Sequence, residues 1–531
     1  MITVRRRCLT ITMVVALLLV GTSSRVAHTQ SAARPNIVVI MIDDYDFASL
    51  GQMVVGGMLP NLARYFLQSG FLFSDAYSVA GLGGPSRATF LTGQYPHNHK
   101  VERGFPPSGV EVMDPTSTVA TWVKAAGYRT AHVGRYVTGY GWWTPGTVIP
   151  PGWDEWNTLL DPGSNNLQEY KINVNGTVVD VGQIARQSGT ELHQIDVLSV
   201  LARNFLVQSA TSSDPFFLMV TPGAFNLATN PAYNVCPQAP FPYYDPLFAG
   251  HILGAAQKPA ARHLDTIFGN SQQFPLLRGP SFNEADVTDK PLYVATIGAM
   301  RDEDIACLEK RHWRKLEVLR AIDDMIGMVM GTLEATGKLG NTVAVFTADN
   351  GWIDGQHRVA GKGLPYEEAI RVPLMIRTRS TAPLQIIPRM VLNTDLAPTI
   401  ASLAEATPTH AVDGRSLVPL MDNPQIAVWR KMGLHEYVGG FDPFAERILP
   451  PSFSALRIDR SVRARLYAKY PAVFGLDGEL YDLTTDPYQM QNLYTVTARR
   501  AERDWLDLWL NVMKTCKGTD CQLLENYFYF Q

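Results

Sequence analysis

The sequence predicts an α/β protein: a large mixed, mainly parallel sheet flanked by helices, followed by a smaller C-terminal antiparallel α+β subdomain. Three observations carry this. Continuous apolar, β-branched runs alternate with segments of helical spacing. Two of those runs end in pairs of oxygen-bearing side chains, Asp43-Asp44 and Asp349-Asn350. After about Ser416 the pattern changes to short strands separated by Gly- and Asp-containing turns.

The elements follow in order. Asn36–Ile42 is apolar throughout, as a strand buried on both faces of a parallel sheet requires. A helix is expected over 60–68, stopped by Gly70, and a strand over Phe71–Tyr77. A helix at 118–126, a strand at 130–134, a helix at 197–207 and a strand at 216–220 continue the alternation. From Trp313 to Gly337, Leu316, Leu319, Ile322, Met325 and Ile326 fall on one helical face, and Thr342–Thr347 is a further buried strand. Arg457–Tyr467 and Leu480–Leu483 are expected as short exposed strands. The expected organisation is a leader at 1–30, a main domain at 31–415 and a subdomain at 416–531, whose tail from Glu525 on resembles a tag scar or else a natural aromatic tail and is set aside.

Composition narrows the function classes. The chain has 531 residues, 46% of them hydrophobic, so a substantial core can form. A formal charge of -3 without a basic stripe excludes nucleic acid as the expected partner. Arg5, Arg6 and Arg7, the apolar run Ile11–Val20 and the small residues after it form an export signal too short to span a bilayer, so the expectation is a secreted protein without a stable membrane anchor. Cleavage there removes Cys8 and leaves Cys236, Cys307, Cys516 and Cys521 in an oxidising compartment. The spacing of Cys516 and Cys521 suits a small closed loop. A Cys236–Cys307 bridge depends on geometry that sequence does not give. Asn175-Gly176-Thr177 is an acceptor pattern for glycosylation on a surface loop. Oligomeric state leaves no mark in the sequence.

Open α/β sheets bind ligands beyond the carboxyl ends of their strands, so the two oxygen-bearing strand ends are expected to face one pocket. Asp43, Asp44, Asp349 and Asn350 offer hard oxygen ligands with no His or Cys among them, which suits Ca²⁺, with Mg²⁺ as the alternative. An Asp-Asp pair by itself fits a turn equally well. In Gly83-Gly84-Pro85-Ser86-Arg87, Pro and Ser suit a helix start whose free N–H groups attract an anion that Arg87 can also grip.

Together with Leu91-Thr92-Gly93, Gly127-Tyr128-Arg129-Thr130, Gly134, Asp349-Asn350-Gly351, Gly361-Lys362, Tyr366-Glu367-Glu368 and Arg371-Val372-Pro373, this ordered set resembles the type I sulfatases of the alkaline phosphatase superfamily. Asp413–Leu417 and Gly478–Leu483 resemble the later blocks of the same family. Tyr95-Pro96-His97-Asn98-His99 and Ser281–Val287 are similar to its glucosamine-6-sulfatase branch, which acts on sulfated glycans.

The resemblance implies an alkaline phosphatase-like sheet and a cation, usually Ca²⁺, on Asp43, Asp44, Asp349 and Asn350. It also implies that Arg87 and Lys362 hold the nucleophile region and the sulfate, with Ser86 and Arg135 beside them. His357 is a lower-ranked pocket residue. A sulfated glycan or a small sulfate ester is the implied partner.

The departures are as informative as the matches. Where the family keeps a Cys or Ser that becomes formylglycine, this chain has Gly83, which has no side chain to oxidise or to attack with. The segment Thr221–Phe225 lacks the family's sulfate-binding His, and Arg135 stands where the family has Lys. Three readings follow: a non-catalytic sulfatase-like binder; a sulfatase whose Cys-containing parent was altered at this position; or a hydrolase of sulfate or phosphate esters using Ser86 or a metal-bound water.

Overall fold

The computed structural model describes residues 34–531 except 107, 224–257, 269–271, 381, 440, 443–446, 449, 472–476 and 528–531. The leader, Phe225 and Cys236 lie outside the described residues, and with Cys236 goes the Cys236–Cys307 pairing that the sequence left open.

The strands of the main sheet are, in chain order, β1 (Asn36–Ile42), β2 (Phe71–Tyr77), β3 (Arg129–Gly134), β4 (Glu155–Leu159), β5 (Lys171–Val174), β6 (Thr177–Asp180), β7 (Phe216–Thr221) and β8 (Thr342–Ala348). A short ladder of β9 (Ile353–Asp354) and β10 (Ala360–Gly361) precedes the last two, β11 (Leu374–Arg377) and β12 (Gln385–Leu392). They assemble in the order β12-β2-β11-β8-β1-β7-β3-β4-β5-β6. Parallel pairing runs from β8 through β1, β7 and β3 to β4, whereas β11 and the β5–β6 hairpin pair antiparallel. The expected mixed, mainly parallel sheet flanked by helices is therefore present.

Every residue of β1 and of β8 is buried. That is why the apolar runs are continuous rather than alternating: both faces are covered, and each fully buried Val or Ile contributes roughly 1.5–3 kcal/mol. The register pairs Asn36 with Thr342 and Ile42 with Ala348, and the Asp349 amide donates to Ile42 O at 3.0 Å. The two oxygen-bearing pairs consequently leave the sheet side by side.

The long helix and the segment packed on it differ from expectation. The long helix begins at Asp302, not Trp313, and runs to Ala335; its first turn carries Asp302, Glu303 and Asp304, which suit the positive end of the helix dipole. The segment over 60–67 is α-helical only at Pro60–Leu62 and continues as a π turn through Leu67, held to the long helix by Asp323, which accepts from the Asn61 and Leu62 amides at 3.1 and 2.8 Å.

The C-terminal subdomain has the expected antiparallel sheet, with strands β13 (Met432–Tyr437), β16 (Phe453–Ile458), β17 (Arg465–Lys469) and β18 (Gly478–Asp482) adjacent in that order; a small hairpin of β14 (Phe441–Asp442) and β15 (Arg447–Ile448) lies between β13 and β16 in the chain. The stretch read as one exposed strand, Arg457–Tyr467, is two buried ones joined by a turn at Asp459. Cys516 and Cys521 are disulfide-bonded, as expected. Asn175 and Gly176, at φ 50° and 92°, form the two-residue turn of the β5–β6 hairpin and are on the surface.

The terminal segment set aside at 525–531 needs correction at its start. Glu525 is fully buried and accepts from Tyr95 Oη (2.5 Å), Arg415 Nη2 (2.6 Å) and Arg430 Nε (2.8 Å). Tyr95, His97 and Asn98 thus belong to the docking of this C-terminal end: His97 Nε2 and Asn98 Nδ2 both lie 2.9 Å from Cys516 O.

Candidate cation and anion site

Asp43, Asp44 and Asp349 are buried, and each offers an oxygen within 4.8 Å of the others. Asn350 joins them through Nδ2, which donates to Asp44 Oδ1 at 2.6 Å. The Asp44 amide donates to Asp349 Oδ1 at 3.2 Å, tying the two strand ends together beyond the last ladder bond. The four residues read from the sequence as ligands therefore converge.

Three basic side chains face this cluster, and each carboxylate has at least one of them. Arg87 Nη1 lies 2.5 Å from Asp349 Oδ2 and 3.4 Å from Asp43 Oδ1, Arg135 pairs with Asp43, and Lys362 pairs with Asp44. Arg87 is aimed by its Nε, which donates to Tyr136 O at 2.7 Å. Burial lowers the Arg135 pKa, yet an arginine starts so high that it stays charged. Burial pushes the Asp44 carboxyl up, against the Lys362 ammonium that holds it down, and the net direction is upward. Asp44 Oδ2 is buried with no hydrogen-bond partner. An unsatisfied carboxylate oxygen among three acids and an amide is the donor set a hard divalent cation takes, so the residues fit Ca²⁺ or Mg²⁺.

The helix that carries Arg87 spans Gly83–Thr92, and all ten of its residues are buried. It begins two residues before the Pro-Ser start read from sequence, which corrects the expected anion cradle: the Ser86 amide donates to Leu82 O within the helix (3.0 Å). The Ser86 hydroxyl donates to Asp349 O at 2.5 Å and accepts from Asn393 Nδ2 at 2.9 Å. Ser86 thus braces the Asp349 loop rather than presenting a hydroxyl to a ligand.

The two adjacent glycines do different work. A Cβ on Gly84 would overlap Thr138 Oγ1, so packing requires glycine there. A Cβ on Gly83 would lie 2.6 Å from Asp349 Oδ2 and 2.8 Å from Arg87 Nη1, so this position points into the charged cluster.

His357 makes no described hydrogen bond to the acidic cluster, and its Nε2 is buried without a hydrogen-bond partner among the described residues. The residue is buried, its Nδ1 lies 2.6 Å from Glu284 Oε2, its ring packs 4.1 Å from that of Tyr366, and Lys290 holds Glu284 at 3.1 Å. The described hydrogen bonds link it to that network and not to the acidic cluster. Sequence reading missed Trp352, whose ring lies 6.0 Å from Lys362 Nζ, and Asn393. The position of Trp352 just after Asp349-Asn350-Gly351 was a usable signal; nothing in the sequence pointed to Asn393.

Comparison with known proteins agrees with this geometry. The Sulfatase family profile matches residues 35–406, and that of the C-terminal part of N-sulphoglucosamine sulphohydrolase matches residues 355–511. An arylsulfatase of Volvox carteri is 27% identical over 96% of this chain and 79% of its own. The human N-acetylglucosamine-6-sulfatase is 27% identical over 92% of this chain and 86% of its own. Among solved structures, a protein in complex with its substrate D-glucosamine-2-N,6-O-disulfate superposes with a TM-score of 0.62 at 21% identity, over 91% of this chain and 97% of the other. The phosphonate monoester hydrolase of Agrobacterium radiobacter also gives 0.62, at 19% identity, over 91% and 96%. The last two show a shared fold. Among the described residues no helix is long and apolar enough to cross a membrane. With the family profile covering most of the chain and the motif residues gathered at the strand ends, this protein belongs to the type I sulfatases of the alkaline phosphatase superfamily, in the likeness of the glucosamine-6-sulfatases.

Proposed function

We propose that this chain is an exported sulfatase-family protein that binds a divalent cation, Ca²⁺ before Mg²⁺, together with a sulfate ester of a glycan, and that formylglycine catalysis is closed to it at Gly83. One observation carries the reading: the Cβ direction of Gly83 aims at Asp349 and Arg87, so the residue that would attack is missing from the spot where attack would be useful. Glucosamine-6-sulfate units are the first ligand class to try, since two of the relatives, matching 93% and 92% of this chain, are N-acetylglucosamine-6-sulfatases.

Asp43, Asp44, Asp349 and Asn350 would hold the cation, which when bound neutralises charge on the ester oxygens. Arg87 and Arg135, which are buried, and Lys362, which is half-buried, supply fixed positive charge in a setting where it acts on an anion more strongly than in water. Such positioning survives the loss of a nucleophile; in a well-studied hydrolase it leaves roughly 10³–10⁴-fold over water. Slow residual turnover therefore fits the reading. The Ser86 alternative is disfavoured because that hydroxyl is buried and already bonded to Asp349 O and Asn393.

The test is hydrolysis of an aryl sulfate and an aryl phosphate by the native chain and by Gly83→Cys, each produced in a host that forms formylglycine. The expected result is slow turnover by the native chain and a gain of sulfatase activity in the variant. Fast sulfate hydrolysis by the native chain would overturn the reading, and native hydrolysis faster on phosphate than on sulfate would favour the Ser86 or water route.

A further inference from the structure

The sheet fixes Asp43, Asp44, Asp349 and Asn350 only up to its own edge. Past Ala348 the ladder adds one bond, from Asp349 N to Ile42 O, and the two chains then turn away into loops. Both loops meet the same residue of the long helix. Lys315 Nζ donates to Asp46 Oδ2 at 2.9 Å, two residues after Asp44, and to Asp354 Oδ2 at 3.3 Å, four residues after Asn350. The carbonyl of Lys315 accepts from Tyr45 Oη at 2.7 Å. All of these groups are buried.

We infer that Lys315 is a positioning residue for the cation site: one buried ammonium clips together the two loops that carry the two ligand pairs. The inference rests on the cation reading above and adds to it the device that sets the ligand spacing.

The rest of the geometry is built around the clip. Asp46 uses its other oxygen to cap the next helix, accepting from Ser49 N at 2.7 Å, so its carboxylate is fixed at both ends. Asp354 is approached by Arg311 at 3.6 Å and by His312 Nδ1 at 3.9 Å, both from the same helix as Lys315. Burial pulls the Lys315 ammonium down in pKa, the Asp354 and Asp46 carboxylates raise it, and the net is upward, so the clip is charged. Groups that orient metal ligands from behind change affinity by 10–100-fold when removed.

The sign of the effect separates positioning from plain electrostatics. Lys315→Met deletes a positive charge near the acidic cluster, which by Coulomb's law alone tightens cation binding. A clip predicts the opposite. In calorimetric titration of the full chain with Ca²⁺, Lys315→Met is expected to weaken binding at least about tenfold, while Lys315→Arg, which keeps both ties, stays near the native value. A folded Lys315→Met variant that binds Ca²⁺ as tightly as the native chain, or more tightly, overturns the inference.

Should that variant not fold, the charge-neutral pair Lys315→Met/Asp46→Asn is read in the same titration, with the same two outcomes. Should the native chain take up neither Ca²⁺ nor Mg²⁺, the cation reading fails, and the clip is judged by hydrogen exchange. Amides at 44–46 and 349–354 exchange faster in Lys315→Met if the clip holds them; unchanged protection sinks it.

Discussion

Arg87→Met is the sharpest probe of how the acidic cluster is neutralised. Arg87 and Asp349 are 3% and 1% exposed, and the pair is short, so removing the guanidinium leaves a carboxylate unpaired in the interior. Breaking a buried pair from one side costs about 3–5 kcal/mol. The lost bond from Nε to Tyr136 O adds roughly 1 kcal/mol. Against a total stability on the order of 5–15 kcal/mol, the summed loss of about 4–6 kcal/mol is a large fraction.

Calcium then gives the discriminating readout. An ion at 100 times its Kd stabilises any form that binds it by about 2.7 kcal/mol. The variant has lost a positive charge beside the ligands, so it gains more than the native chain does. Urea unfolding followed by tryptophan fluorescence, with and without calcium, is expected to show a gap between native and variant that narrows as calcium is added. A loss below about 1 kcal/mol without calcium, the size of an exposed pair, would refute the buried-pair reasoning. A gap that calcium leaves unchanged would refute the shared use of Asp43 and Asp349 by ion and guanidinium.

Two further outcomes follow from the same packing. Burial lowers the His435 imidazole to about 4, with Nδ1 donating to Ser78 O at 2.8 Å; between pH 6.5 and 4 the unfolded chain takes a proton that the native one refuses. Stability therefore falls on acidification, and His435→Gln is expected to flatten the stability–pH slope below pH 6.5 by roughly 1.4 kcal/mol per unit; an unchanged slope counts against a neutral buried His435. Glu525→Ala takes the carboxylate partner from Arg415 and leaves Arg430 on Asp395 alone, and is expected to cost about 3–5 kcal/mol in denaturant titration. A cost below about 1 kcal/mol, the size of an exposed pair, would mean that Glu525 is no anchor.

How much of this was legible depended on whether a signal was local. The strands β1 and β8 could be read because burial on both faces writes itself into a continuous apolar run. Arg457–Tyr467 misled because Ile458, Val462, Ala464 and Leu466 share one period of two, broken only at Arg460, on both sides of the turn at Asp459. The helix start at Asp302 was missed because residues 302–312 are mostly charged, and their burial depends on partners such as Asp354 and Gln52 that lie outside the helix. Ser86 looked like a helix start because Pro and Ser usually are; the glycines before it had already begun the helix.

The sequence by itself determined the chemistry at the site: which oxygens stand at the two strand ends, which basic residues accompany them, and that Gly83 brings no nucleophile. Tertiary structure alone decided what holds those groups in place. Lys315 meets Asp46 across 269 positions of chain, Asn393 meets Ser86 across 307, and Glu525 meets Tyr95 across 430. Periodicity and capping act over a few residues, whereas such pairings exist only once the sheet has set its strand order, so no local pattern can announce them.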